Sequence, residues 1–130
     1  QLRARAKRVL GHSPGVLNCA AAKGAFSAEC DEWKVLQIAY LAQNRDYLAS
    51  EITERFPKAR ATVTEGTFLQ WVDLTEYSLG NAEKYLRDTA KVALSGGEDF
   101  AGGEGFVRIN FATQRSLIQD ALNRIEKTLN

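Results

Sequence analysis

An arginine stands in the middle of an apolar run near the end of the chain, in the stretch GGEGFVRINFAT at residues 102–113. Residues of a β-strand alternate between its two faces, so Val107 and Ile109 share one face and Arg108 lies on the other. A guanidinium presents a planar fork of N–H donors that matches a carboxylate, and a strand holds it more precisely than a loop does. Arg108 is therefore a candidate anion clamp. Periodicity alone leaves two alternatives open, a solvated arginine on an open sheet face or an ion pair with an acid such as Asp73.

Other residue types that carry chemistry do not form a recognisable site in the sequence. His12 is the only histidine and no nucleophile motif accompanies it, so a catalytic triad has no support. Its surroundings offer no metal-ligand spacing, and we expect no metal site. Cys19 and Cys30 match no ligand pattern either and are expected to be thiols in a reducing compartment. The glycine-rich stretch before Arg108 fits neither common phosphate-binding motif and is expected to be a flexible connection.

The composition indicates one globular domain and gives no sign of a polyanionic partner. The 130 residues carry a net charge of +1, with 45% hydrophobic and 25% charged residues, which is ordinary for a folded soluble protein. The basic cluster at residues 3–8 keeps helical spacing and is interpreted as a solvated helix face. No apolar run is long enough to cross a bilayer, and no signal peptide opens the chain. We expect a cytoplasmic protein with no membrane or nucleic-acid partner.

The candidate arginine needs a scaffold, and the apolar spacing predicts helices first and a mixture of strands and helices afterwards. A helix is expected after the Ser13–Pro14 start, and a second one from a cap at Asp31 to a stop at Pro57. At about 1.5 Å per residue the second helix would be close to 40 Å long, which exceeds what a compact domain of this size needs. Two strands are predicted within residues 61–74, a helix capped by Asn81, an extended piece at 91–94, a strand at 106–112 and a last helix capped by Thr113.

These elements predict an α+β fold, with a long helix beside a small, largely antiparallel sheet that is packed by helices. We expect two segments. Residues 58–130 would form an α+β small domain. Residues 1–57 would form a helical segment, and its long helix would join the small domain to a further domain.

Four stretches together resemble a known enzyme family. They are HSPGVLNCAAAKGAF at 12–26, YLAQNRDYL at 40–48, EGTFLQWVDL at 65–74 and FAGGEGFVRINFATQRSLIQDALNRI at 100–125. In this order they are similar to the carboxy-terminal part of the fold type I pyridoxal-phosphate enzymes of the class I and II aminotransferase superfamily. Within that superfamily the likeness is to the cystathionine β-lyase, or carbon–sulfur lyase, branch. It covers essentially the whole chain, and GxGFVRINFA followed by an amphipathic helix is its most specific element.

The resemblance implies that Arg108 grips the α-carboxylate of an amino-acid substrate, such as cystathionine or another cysteine conjugate. It also implies a parent enzyme that uses pyridoxal phosphate and forms a homodimer. None of the seven lysines stands in the context of the family's cofactor lysine; they are Lys7, Lys23, Lys34, Lys58, Lys84, Lys91 and Lys127. The chain is accordingly expected to lack a large domain and catalytic residues, and to be inactive and without cofactor on its own.

Two alternatives to the lyase stay open at the level of the sequence. The same domain of an aminotransferase is the first, because elimination and transamination share the carboxylate clamp. An RNA-binding α+β module is a distant second, since GFVRINF superficially matches an RNA-binding strand motif. That match fails at Glu104, where a basic residue is expected, and at Arg108, where an aromatic residue is expected.

Overall fold

The computed structural model describes residues 15–100 and 102–129. These residues form two compact units, divided between Ile38 and Ala39. The sequence predicted a different boundary, at residue 57. Because that boundary refers to the domains of a larger parent protein, it stays a prediction. Among the described residues, no helix combines the length and the apolar character that crossing a membrane requires.

The first unit contains helix α1, Val16–Ala25, and a 3₁₀ turn, Ala28–Cys30. The turn leads directly into helix α2, Asp31–Arg55, which begins in the first unit and ends in the second. The predicted cap at Asp31 is wrong. Its backbone is already helical, with φ −63° and ψ −44°, because the 3₁₀ turn starts the helical conformation earlier. The Asp31 carboxylate instead lies 2.7 Å from Lys34 Nζ, one turn along α2. The helix start expected at Ser13–Pro14 lies outside the described residues.

In the second unit, α2 supplies the core with Leu48, Ile52 and, just beyond its last turn, Phe56. The helix ends at Arg55, as predicted from Pro57, because proline cannot donate the next helical hydrogen bond and its ring collides with the preceding turn.

Four short strands form one sheet, and all its neighbouring strands run antiparallel. The strands are β1, Arg60–Ala61; β2, Leu69–Asp73; β3, Ser95–Gly96; and β4, Phe106–Asn110. Their spatial order is β1-β2-β4-β3. Val72 and Val107 are register partners and both are buried, so their side of the sheet forms part of the core.

Helices α3, Ala82–Thr89, and α4, Arg115–Leu129, complete that core. Their buried side chains follow helical spacing and are Ala82, Leu86, Ile118, Leu122 and Ile125. Asn81 caps α3 as predicted, because its Oδ1 accepts a hydrogen bond from the Lys84 N–H at 2.9 Å. The predicted cap at Thr113 is wrong, since α4 begins only at Arg115. The helices and the antiparallel sheet confirm the predicted α+β fold.

Candidate functional site

Arg108 lies on the sheet face opposite the buried valines, as strand alternation predicts. Its register partners on the two neighbouring strands are Trp71 of β2 and Ser95 of β3. Directly opposed residues of antiparallel strands point to the same face, so these two residues flank the arginine. Val107, the next residue of β4, points into the core and is buried. The strand is thus anchored by its apolar side and presents a half-buried guanidinium on the other.

The immediate partners of the Arg108 guanidinium are a hydroxyl and an aromatic ring. Its Nη2 donates to Ser95 Oγ at 3.3 Å, and its Cζ lies 4.0 Å from the centroid of the Phe100 ring. No carboxylate of the described residues lies within ion-pair distance of it. The ion pair considered with Asp73 does not form; Asp73 Oδ1 instead accepts hydrogen bonds from the Thr75 N–H and hydroxyl at 2.8 and 2.7 Å.

The absence of a carboxylate partner distinguishes Arg108 from most arginines in the described part of the chain. The arginines that form ion pairs are Arg45, Arg55, Arg60, Arg87 and Arg124. Arg115 is the other exception, but its Nε donates to Asn44 Oδ1 at 3.0 Å and its guanidinium packs over the Tyr47 ring. Arg108 therefore keeps most of its donor fork available to a ligand that carries a carboxylate.

Three aromatic side chains adjoin the arginine, and we call Trp71, Phe100 and Phe106 the aromatic cluster. The rings of Trp71 and Phe106 stack at 5.8 Å with an interplanar angle of 20°. Phe100 meets Trp71 edge to face, at 6.2 Å and 89°. Both geometries are favourable for aromatic pairs. The cluster forms an apolar surface beside a cation.

The described residues of the glycine-rich loop between β3 and β4 make backbone hydrogen bonds and close packing contacts, and the flexibility expected of this connection stays a prediction. It opens with a 3₁₀ turn, Gly97–Phe100, and the Gly102 N–H donates to the Gly97 carbonyl at 2.9 Å. Gly102 packs against the indole of Trp71 so closely that an added Cβ would lie 2.2 Å from ring atom Cζ2. Near its end, the loop is hydrogen-bonded to the start of α3, because the Ala82 N–H donates to the Glu104 carbonyl at 2.8 Å.

The structure brings Ser95 and Phe100 to Arg108, and sequence reasoning identified neither of them. Ser95 lies just beyond the extended piece predicted at residues 91–94, so no register predicted from the sequence placed it beside Arg108. Phe100 sits in a loop, where no periodicity tells which way a ring points. His12 lies outside the described residues, and no disulfide joins Cys19 to Cys30. No cluster of potential metal ligands occurs among the described residues.

Comparison with known proteins connects this geometry to an enzyme family. The family model described as aminotransferase class I and II matches residues 1–125. This chain belongs to the class I and II aminotransferase family. The relatives matched by this aminotransferase-family chain include a cystathionine β-lyase of Corynebacterium glutamicum, 32% identical over 88% of the chain and 30% of the relative. A valine–pyruvate aminotransferase of Mycobacterium tuberculosis is 37% identical over 86% of the chain and 30% of the relative.

The aminotransferase-family fold is also found in solved structures. A pyridoxal-phosphate-bound carbon–sulfur lyase from Staphylococcus hominis superposes with a TM-score of 0.82 at 27% identity, covering 96% of this chain and 34% of the lyase. The chain therefore spans about a third of the length of the relatives and structures that it matches. Its predicted membership of this family, including the likeness to its carbon–sulfur lyases, is confirmed.

Proposed function

We propose that this chain is the carboxy-terminal domain of a pyridoxal-phosphate-dependent carbon–sulfur β-lyase, in which Arg108 binds the α-carboxylate of the amino-acid substrate. The observation that carries the proposal is a half-buried arginine on a core-anchored strand, with no carboxylate partner among the described residues. The names of the relatives support the lyase, and family membership favours an enzyme over the RNA-binding alternative. The substrate class is a cysteine conjugate such as cystathionine.

The part of Arg108 in such a reaction is to bind and to orient. Its in-plane N–H groups match the two carboxylate oxygens, and a strand fixes the direction from which they are offered. Holding the carboxylate restricts rotation about the bond between Cα and the amino nitrogen of the substrate. The bond to be broken is therefore presented in one orientation. When bound, pyridoxal phosphate supplies the electron sink for that bond cleavage. The guanidinium stays charged at any physiological pH, so the clamp itself is not a proton donor or acceptor.

The covalent attachment of the cofactor belongs, in this proposal, to protein outside the present chain. Among the residues that the structure describes, no lysine side chain contacts Arg108. Several described lysines are engaged locally: Lys34 pairs with Asp31, Lys91 Nζ donates to the Asp88 carbonyl at 2.8 Å, and Lys58 lies over the Tyr77 ring. We therefore propose that the chain alone binds no pyridoxal phosphate and is inactive. We also propose that the parent enzyme is a homodimer and is located in the cytoplasm.

An aminotransferase is the second candidate function. The 37% identity to the valine–pyruvate aminotransferase is higher than the 32% identity to the C. glutamicum lyase, over similar shares of this chain. A carboxylate clamp serves both reactions equally. Incubating the parent enzyme with a cysteine conjugate separates them, because a lyase releases the thiol, pyruvate and ammonia, whereas an aminotransferase requires a keto-acid acceptor.

The clamp is tested by Arg108→Ala and Arg108→Lys in the parent enzyme. Losing one partner of a partly buried, hydrogen-bonded charge pair costs about 2–4 kcal/mol, so KM for the amino acid should rise by about 30- to 1000-fold in Arg108→Ala. Arg108→Lys should recover only part of the loss, because an ammonium lacks the planar fork. The affinity for pyridoxal phosphate, followed by its absorbance, should change little.

Arg87→Ala provides the matched control. Arg87 is also an arginine of the second unit, but its guanidinium pairs with Glu83 on the surface of α3. Its replacement should leave KM unchanged. If Arg108→Ala behaves like this control, the clamp assignment is lost.

A further inference from the structure

The guanidinium carbon of Arg108 lies over the ring of Phe100. Its ring centroid lies 4.0 Å from Arg108 Cζ, the shortest such distance among the cation–π pairs of the described residues, which otherwise range from 4.9 to 6.0 Å. A guanidinium is weakly hydrated above and below its plane, and those are the sides on which aromatic rings stack. A separation of 4.0 Å fits a guanidinium that stacks on the face of the ring.

Stacking on the face does not compete with the binding of a carboxylate. The N–H groups of arginine point outward in the guanidinium plane, so a ring on the face leaves that edge open. One of those donors, on Nη2, is engaged by Ser95 Oγ at 3.3 Å. The ring restricts the tilt of the guanidinium plane, and the hydroxyl restricts how the guanidinium turns within that plane. The remaining N–H donors stay available to a carboxylate.

The structure also shows what keeps Phe100 in place. Trp71 supports its ring edge to face, and Phe106 in turn stacks on Trp71. The close packing of Gly102 against the Trp71 indole brings the loop down onto this cluster. Phe100 is nevertheless 45% exposed, so it is not a core residue whose burial explains its position. Its contacts are those of a side chain held over the arginine.

We propose that Phe100 is a positioning residue for the Arg108 clamp. It holds the guanidinium plane in the orientation that accepts the substrate carboxylate, and it acts on substrate binding through Arg108 alone. This inference rests on the proposed function of Arg108. It predicts that the π face of residue 100, and not merely its volume, is required for a low KM.

The test uses the full-length parent enzyme with its cofactor and measures KM and kcat for a cysteine conjugate. Phe100→Leu and Phe100→Met remove the ring but keep an apolar side chain, and each should raise KM by about 3- to 30-fold, the range expected for a lost cation–π stack. The kcat and the affinity for pyridoxal phosphate should stay within about twofold, because uniform substrate binding is what is lost. Phe100→Tyr, which keeps the π face, should restore a KM close to that of the wild type.

Phe68→Leu is the matched control, because Phe68 is a phenylalanine of similar exposure, 44%, that makes no ring contact with an arginine of the described chain. Its KM should equal that of the wild type. The decisive comparison is a double-mutant cycle: in an Arg108→Ala background, Phe100→Leu should have no further effect on KM.

The outcomes separate the inference from the proposed function. If Arg108→Ala leaves KM unchanged, the clamp and its positioning residue are both overturned. If Arg108→Ala raises KM but neither Phe100→Leu nor Phe100→Met does, only the role of Phe100 is overturned. The same holds if Phe100→Leu raises KM equally with and without Arg108, since the ring would then contact the substrate by itself.

Discussion

A single buried amide secures the end of the strand that carries the arginine. Asn44 of α2 is fully buried, and its Nδ2 donates to the carbonyl oxygens of Phe111 and Thr113 at 3.0 and 2.8 Å. Its Oδ1 accepts from Arg115 Nε at 3.0 Å. Tyr40 adds to this connection, because its hydroxyl accepts from the Arg115 N–H. Asn44 therefore joins α2 to the chain between β4 and α4, with its hydrogen-bonding atoms satisfied.

Replacing that amide should be costly. In Asn44→Leu the two carbonyl oxygens lose a donor and the Arg115 guanidinium loses an acceptor, so the free energy of unfolding should fall by about 2–4 kcal/mol. Denaturant unfolding followed by circular dichroism measures the change. Gln43→Ala, at the exposed neighbouring position of α2, should stay within about 0.5 kcal/mol of the wild type. Equal losses for the two variants would show that the buried hydrogen bonds of Asn44 add nothing.

At the scale of single residues, the sequence predicted where Arg108 points but not what surrounds it. Alternation along a strand is a local rule, so Val107 and Arg108 could be assigned to opposite faces in advance. The stack of Phe100 depends on the path of a loop and on the approach of Gly102 to Trp71, which no local pattern encodes. Asn44 was also missed, since a polar residue within a helical pattern is ordinarily exposed.

Among the elements, helices α2 and α4 are joined at the surface by a charged cluster. Arg55, at the end of α2, lies 3.0 Å from Glu51 Oε2 on its own helix and also pairs with Glu126 of α4. Its Nη2 donates as well to Asn123 Oδ1 at 2.8 Å. The hydrogen bond from Arg55 holds the pKa of the Glu126 carboxyl below its ordinary value of 4.5. The same bond raises the pKa of Arg55.

The lowered pKa of Glu126 gives the helix pair an acid-sensitive contact. The folded state binds its proton less readily than the unfolded state, so the contribution to stability is present above about pH 4.5 and is lost as the pH falls through the lower, folded pKa. Glu126→Gln should reduce the acid dependence of the melting temperature in that window. Thermal melts from neutral pH downwards test this, with Glu65→Gln in the β1–β2 loop as control. If Glu126→Gln leaves the fall of the melting temperature at acidic pH unchanged, the ion pair of Glu126 is not the source of that acid sensitivity.

The elements themselves were largely predictable, but several of their ends were not. The long helix was expected from the spacing of Leu48, Ile52 and Phe56 and from the stop at Pro57. Strand β3, in contrast, occupies Ser95–Gly96, beyond the extended piece predicted at residues 91–94. A pairing with β4 defines this two-residue strand, and such a short edge carries no periodicity of its own. Thr113 was predicted as a cap from its residue type, but α4 begins two residues later, at Arg115.

For the whole molecule, the first unit exposes more apolar surface than its sequence pattern suggests. Several large side chains there are more than half exposed: Val16, Leu17, Phe26, Trp33, Val35, Leu36 and Ile38. Helical spacing marks such residues as an apolar face, but it does not specify what covers that face. The fold class could be predicted, because it depends on the order of the elements. The proposed activity could not be derived from periodicity, and it rests on family likeness joined to the geometry of Arg108.

The central claim is that Arg108 binds the α-carboxylate of the substrate. The most direct test is to measure how strongly the parent enzyme prefers a substrate with a free α-carboxylate. It compares kcat/KM for a cysteine conjugate with kcat/KM for its α-carboxamide, in the wild type and in Arg108→Ala. A charge-assisted pair with Arg108 should favour the acid by at least about 30-fold in the wild type, and Arg108→Ala should abolish most of that preference. If the preference survives intact in Arg108→Ala, another group binds the carboxylate and the central claim is wrong.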